Sequence, residues 1–247
     1  LAALERELAQ GDVACVLCEP ALTNIGIVLP DPGFHAALRQ LTRRHGTLLV
    51  IDETHTLCAG PGGCTRVWGL EPDFITLGKA IGNGIPAAVY GCTEAVAARL
   101  REHLPLSTAD TGGIGGTLAG NALSLAAMRV TLESVLTDAA FAHMIAMAER
   151  FTAGVQASID AQQVPWIVQR LGCRAEYWFR GDLPRNGGEA AASIDGDLDR
   201  YMHLACLNRG ILMTPFHNMA LMSPATTEDD VDAHSQVFDE MAAELIA

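Results

Sequence analysis

The sequence predicts an α/β protein, with a mostly parallel sheet flanked by helices and a smaller carboxy-terminal α/β unit behind it. Three observations predict this. Short apolar runs alternate with amphipathic helical stretches through the first part of the chain, in β-α-β order. The runs end at polar residues, glycine or proline, as buried parallel strands do where they open into loops. Beyond Pro165 the texture changes to shorter strands interleaved with further helices. A chain of 247 residues suits a core domain plus a smaller one. The expected division is 1–137, the second half of a larger domain, and 138–247, a small carboxy-terminal domain.

Residues 1–12 (LAALERELAQGD) have an amphipathic helical pattern without a basic start, an apolar centre or an initiator Met. They read as neither signal nor transit peptide but as the continuation of an upstream segment. Residues 13–18 (VACVLC) form a buried strand that ends at Glu19-Pro20. Residues 33–45 follow as a helix, with Phe34, Leu38 and Leu41 on one face and Gly46 as its stop. Two further strands, 47–51 and 74–77, deliver Asp52-Glu53 and Gly78-Lys79 at their carboxyl ends. A fourth strand is expected at 86–92 and a helix at 93–103. A glycine-crowded loop at 107–116 leads into helices at 120–135 and 138–162. Strands at 166–171 and 174–179, a polar loop at 184–189 and a helix at 197–209 come next. Strands at 211–214 and 219–223 and a closing helix at 228–246, capped by Thr226 or Thr227, complete the chain.

Forty-nine per cent hydrophobic and 18% charged residues call for a folded core, yet no run reaches the roughly 18 apolar residues of a membrane span. A formal net charge of −13 argues against nucleic acid or anionic lipid as partner, since both need clustered cations. Seven cysteines, odd in number and widely scattered, suit a reducing cytoplasm better than a disulfide framework. Cys15 and Cys18 are three apart on a strand and point to opposite faces, so core burial is expected rather than a shared bond or metal. No metal site is expected. Of the 16 basic residues fifteen are arginine, and the one lysine is Lys79. A position that keeps lysine against that bias suggests a need for an amine that can lose its proton.

Open parallel sheets bind ligands at the carboxyl ends of their strands. Here those ends carry Glu19, Asp52 and Lys79. A carboxylate beside an amine meets the needs of pyridoxal 5'-phosphate (PLP): the acid keeps the pyridine nitrogen protonated, and the lysine forms an imine and later shuttles a proton. Each residue alone has a plainer reading. Asp52 and Glu53 could cap the next element, Lys79 could be a solvated surface lysine, and Thr117 a helix N-cap. His217 reads as a loop histidine and Glu19 as a structural acceptor. What weighs against these plainer readings is that Asp52 and Lys79 both stand at the tips of apolar strands.

The strings EPALTNIGIVLPDPGFHAALRQLTRRHGTLLVIDETHT, PDFITLGKAIGNGIPAAVYG and GGTLAGNALS resemble the class III aminotransferases of PLP fold type I across nearly the whole chain. That family includes glutamate-1-semialdehyde aminomutase and β-amino-acid aminotransferases. The resemblance implies that Asp52 contacts the pyridine nitrogen, that Lys79 binds the cofactor covalently, and that Thr117 reaches the phosphate held by the partner subunit of a homodimer, the site lying at the subunit interface. Thr54 stands where the family usually has a valine against the ring, and His55 would approach the ring oxygen. The activity implied is a transaminase acting on an amino acid or amine and a 2-oxo acid. The alternatives are a 2,1-aminomutase and a catalytically incomplete fragment, because the family's phosphate cup and stacking aromatic come from an upstream half that nothing here matches. Arg170, Arg174 and Arg180 are candidates for a substrate carboxylate. A nucleotide-dependent dehydrogenase fails on detail, since Leu118 stands where G-x-G-x-x-G needs its last glycine, and Gly78-Lys79-Ala80 lacks the P-loop hydroxyl.

Overall fold

The computed structural model describes residues 1–103, 115–214 and 217–246. They form two compact units. The first comprises Leu1–Pro20, Pro32–Leu57 and Cys64–Leu136, and the second Ala21–Asp31, Cys58–Gly63 and Thr137–Ala247. Two short excursions from the amino-terminal part thus belong to the second unit, which no single cut in the sequence expresses.

The first unit is built on a four-stranded sheet in the order β1 (Cys15–Cys18), β2 (Leu48–Asp52), β3 (Phe74–Leu77) and β4 (Val89–Cys92). β1, β2 and β3 are parallel, with Cys18 opposite Ile51 and Asp52 opposite Thr76. β4 departs from the parallel arrangement: it runs antiparallel to β3, from Phe74↔Cys92 to Leu77↔Val89, and is shorter than the apolar run at 86–92. Helices α1 (Ala2–Leu8) and α2 (Phe34–Arg44) belong to this unit. Leu38 of α2 packs with Leu49 and Ile51 of β2, and Leu4 and Val16 close over them. α2 ends as the sequence demands: Gly46 takes φ 66°, and the N–H groups of Gly46 and Thr47 reach back to the carbonyls of Arg43 and Thr42.

Asp73 joins three of these elements. Its carboxylate accepts two bonds from the Arg39 guanidinium of α2 at 2.6 and 2.9 Å, and a third from the Leu49 N–H of β2 at 2.8 Å, one residue before β3 begins. The short helix α3 (Gly63–Val67) precedes β3, and α4 (Glu94–His103) follows β4. α5 (Ala122–Val130) continues into one turn of π-helix at Thr131–Val135. Residues 107–114 of the expected glycine-rich loop lie outside the described residues.

In the second unit α6 (Asp138–Gln162) precedes a sheet of β5 (Ile167–Leu171), β6 (Arg174–Trp178) and β7 (Met219–Leu221), antiparallel throughout. α7 (Gly187–Ala191), α8 (Gly196–Asn208) and α9 (Glu228–Ile246) complete it. Phe238 of α9, fully buried, meets the rings of Tyr177 and Trp166 at 5.0 and 6.0 Å. Two expectations are corrected. The polar loop at 184–189 contains the start of α7, because Asn186 accepts the Glu189 N–H at 3.0 Å and donates to its carboxylate at 2.8 Å, closing a helix cap. No strand forms at 211–214. There the N–H groups of Gly210 and Ile211 bond the carbonyls of Leu207 and Cys206, so the chain is spent on capping α8, with Gly210 at φ 85°.

The cysteines at 15 and 18 are also corrected. β1 is the sheet's edge strand, Cys15 is exposed and Cys18 half-buried, and none of the seven cysteines forms a disulfide. An apolar run on an edge strand with one face open need not be buried. Among the described residues no single helix is long and apolar enough to cross a membrane, and no group of three His, Cys, Asp or Glu side chains could hold a metal.

Candidate active site

The carboxyl ends of β1, β2 and β3 bring one group each to the same edge of the first unit. The two carboxylates at the end of β2 have separate fates. Glu53 is fully buried and serves the fold: it accepts from the Thr56 hydroxyl at 2.5 Å, from the Cys64 N–H at 3.1 Å and from the Thr65 N–H. This is the capping role a strand-end carboxylate was expected to have if it had no other. Asp52 is half-buried and turned elsewhere. Its Oδ1 accepts the Thr54 N–H at 2.9 Å.

Burial alone would raise the Asp52 carboxyl. Hydrogen bonds from the Thr54 side chain and amide and from the Thr76 side chain, together with the charge of Lys79, outweigh it and hold the group below the usual carboxylate range. Asp52 is therefore an anion at neutral pH, and Lys79 is close enough to contribute to keeping it so. Thr76 is a residue that sequence reasoning missed. The signal was available in the parallel register, which sets Thr76 opposite Asp52.

Lys79 stands two residues beyond the end of β3 and opens a 3-10 turn, Lys79–Gly82. Its φ is 48°, the left-handed region that side chains other than Asn and Asp rarely enter, and a cost of about 1–2 kcal/mol accompanies it. Asn83 at φ 46° and Gly84 at φ 91° share the turn. The lysine is exposed, whereas Gly78 before it is buried and its missing Cβ would sit 3.6 Å from the Thr54 side chain. Thr54 thus packs against the backbone that carries the lysine.

The remaining site candidates are less closely gathered. His55 lies 3.9 Å from Glu19 through Nδ1, both side chains about a quarter exposed, which draws the imidazole toward the end of β1. Thr117 is exposed in the turn before α5 and is not its cap. Asn121 is the cap: its side chain accepts the Ser124 N–H at 2.9 Å, while the Ser124 hydroxyl donates to the Pro86 carbonyl at 2.7 Å. The arginines considered for a substrate carboxylate are all engaged within the second unit. Arg170 bonds Glu149 and the Gly172 carbonyl, Arg174 pairs with Glu176 in full burial and donates to the Thr23 carbonyl, and Arg180 holds Asp182. His217 lies near Asp199.

A half-buried ionised carboxylate and an exposed amine at adjoining parallel strand ends are a donor set that fits an electron-poor, positively charged ring bearing an aldehyde. The parallel sheet order and this pair place the chain in the PLP-dependent transferase class of fold type I, and solved structures agree. A Pseudomonas aeruginosa glutamate-1-semialdehyde aminomutase in complex with PMP superposes with a TM-score of 0.95 at 51% identity, covering 99% of this chain and 55% of that one. A β-phenylalanine aminotransferase from Variovorax paradoxus gives a TM-score of 0.85 at 26% identity, covering 97% and 54%. In sequence, a glutamate-1-semialdehyde 2,1-aminomutase of Neisseria meningitidis is 32% identical over 98% of this chain and 57% of its own length. The aminotransferase class-III family model matches residues 1–242, and the chain belongs to that family. It spans little more than half the length of these relatives.

Proposed function

We propose that this chain is the lysine-bearing part of a PLP-dependent aminotransferase, which moves an amino group between an amino acid or amine and a 2-oxo acid. The observation that carries the reading is the only lysine of the sequence standing beside an ionised Asp52. When bound, the cofactor supplies an aldehyde for that amine and a ring able to accept electrons. The Lys79 amine would hold the cofactor and, once displaced by substrate, take and return the substrate's α-proton at Nζ. Asp52 would keep the ring nitrogen protonated, and Thr54 and Thr76 keep Asp52 ionised and aimed. Thr54 would lie against the ring, His55 would face its oxygen, and Thr117 would reach the phosphate held by the partner subunit of a homodimer.

A 2,1-aminomutase is the second reading, favoured by the names of the relatives from Neisseria meningitidis and Pseudomonas aeruginosa. Both readings use the same residues for the first proton transfer, so they divide on whether the amino group passes to a second molecule or migrates within one. In the full-length protein, Lys79→Ala is expected to abolish the visible absorbance of lysine-bound PLP. Asp52→Asn keeps that absorbance and lowers turnover by about a hundredfold or more, the scale of removing one charge-stabilising group. Retained absorbance in Lys79→Ala refutes the assignment. Amino donors offered with pyruvate or 2-oxoglutarate, set against glutamate-1-semialdehyde alone, separate transfer between molecules from migration within one.

A further inference from the structure

The carboxylates at the adjoining ends of β1 and β2 answer different groups. Cys18 lies opposite Ile51 in the parallel register, so Glu19 and Asp52 are the next residues on neighbouring strands. Asp52 is matched by Lys79, whose charge helps to keep it ionised, and by bonds from Thr54 and Thr76. Glu19 faces the His55 imidazole, its Oε2 3.9 Å from Nδ1. That is longer than a hydrogen bond and within reach of an ion pair. Both side chains are only about a quarter exposed, which makes the attraction stronger than between two fully solvated groups. Glu19, Asp52, His55 and Lys79 all belong to the first unit.

The place of the carboxylate decides which ring nitrogen is left over. A negative charge beside Nδ1 favours a proton on that nitrogen, in the neutral ring and in the imidazolium alike. Nε2 is then the nitrogen that meets a ligand, and its proton is the one that can be given or taken. The ring oxygen of PLP is itself acidic, so a proton between it and Nε2 can rest on either atom. We infer that Glu19 is a positioning residue of the site, acting through His55: it holds Nδ1 and draws the shared proton onto Nε2. The inference rests on the proposed PLP reading. No bond to carbon is made or broken, and the proton that Nε2 gains is the one that the ring oxygen loses.

The first test, on the full-length protein, needs no cofactor. In 15N spectra at alkaline pH, where the imidazole is neutral, His55 is expected to carry its proton on Nδ1, its signals being assigned by their loss in His55→Gln. Glu19→Gln, close in shape but uncharged, moves that proton toward Nε2, whereas Glu19→Asp, which keeps the charge, leaves it on Nδ1. The second test uses the loaded protein. Glu19→Gln is expected to shift the absorbance of lysine-bound PLP from the visible toward the near ultraviolet, where the form with a protonated ring oxygen absorbs, and Glu19→Asp to restore the visible share. A purely structural role would lower the amount of cofactor bound and leave the proportion of the two bands unchanged.

A His55 proton on Nε2 in the unsubstituted protein would overturn the inference, as would nitrogen shifts or band proportions untouched by Glu19→Gln. Visible absorbance that survives Lys79→Ala removes the PLP reading instead, and the nitrogen shifts then still decide the pairing of Glu19 with His55. If Glu19→Gln does not fold, the nitrogen shifts of the unsubstituted protein and the band proportions of Glu19→Asp decide it.

Discussion

Lys79 shows how a single residue can carry a local cost that the rest of the fold sustains. Its φ of 48° is unfavourable for any side chain with a Cβ, and only glycine is at ease there. The residue type at 79 is thus set by chemistry rather than by backbone comfort, and the two can be separated by experiment. Lys79→Ala keeps the strained backbone and deletes the amine; Lys79→Gly deletes the amine and relieves the strain, offset in part by the greater freedom of glycine in the unfolded chain. Without cofactor, Lys79→Gly is expected to exceed Lys79→Ala in unfolding free energy by about 0.5–1 kcal/mol in urea titrations. Equal midpoints would mean that the turn is not strained at this residue. The lysine itself was legible in the sequence, because fifteen arginines and one lysine single it out. Its left-handed conformation was not, since nothing in TLGKAIGNG says which of its residues turns the chain.

Among the elements, the strands that present the site were read nearly to the residue, and for a plain reason. TLLVI and FITL are β-branched and apolar runs bounded by residues that end strands, so composition and length agree. The direction of β4 was not legible, because an apolar run such as PAAVYGC is the same whichever way it is traversed and only its partner fixes its sense. The cap Asn186-x-x-Glu189 was visible as a spacing but hidden by the glycines between. The Asp73 clamp was also hidden, since Arg39 and Asp73 are far apart in sequence and meet only because α2 packs on β2. Burial would raise the Asp73 carboxyl, but the bonds from Arg39 and the Leu49 N–H and the charges of Arg39 and Arg43 hold it below the ordinary range. A lowered folded-state value contributes stability that is complete above the ordinary carboxyl value and lost as pH falls through the folded one. The unfolding free energy should therefore fall, as pH drops below the ordinary carboxyl value, by more in the unaltered protein than in Asp73→Asn. At pH 7 that variant should be less stable by roughly 2 kcal/mol, the loss of charge-assisted bonds at a part-buried site. A parallel pH response of the two proteins would remove Asp73 from the account.

At the scale of the whole molecule, the net charge of −13 would seem to oppose self-association, yet its distribution leaves one stretch free of that repulsion. Within α5 the one charged residue is Arg129, and it is paired with Glu133 a turn later. Along the same stretch Leu118, Leu123 and Val130 are 80%, 66% and 58% exposed, and Leu125 and Leu132 about half. Thr117, proposed to reach a partner's cofactor, immediately precedes the first of these leucines. If the proposed homodimer forms, this apolar, locally neutral strip beside Thr117 is where a second copy would pack. In a two-fold dimer every substitution acts twice, so Leu123→Glu withdraws two leucines from the interface. At about 1.5–3 kcal/mol for each buried leucine, the dimer should weaken by about a hundredfold or more. Sedimentation of the full-length protein is expected to show a dimer whose mass does not change between low and high salt, because the contact is apolar rather than ionic. Leu123→Glu should sediment as a monomer and lose PLP absorbance with it, since each site would then lack its partner's Thr117. A Leu123→Glu protein that stays dimeric and fully loaded would mean that this strip is covered by the protein's own chain instead.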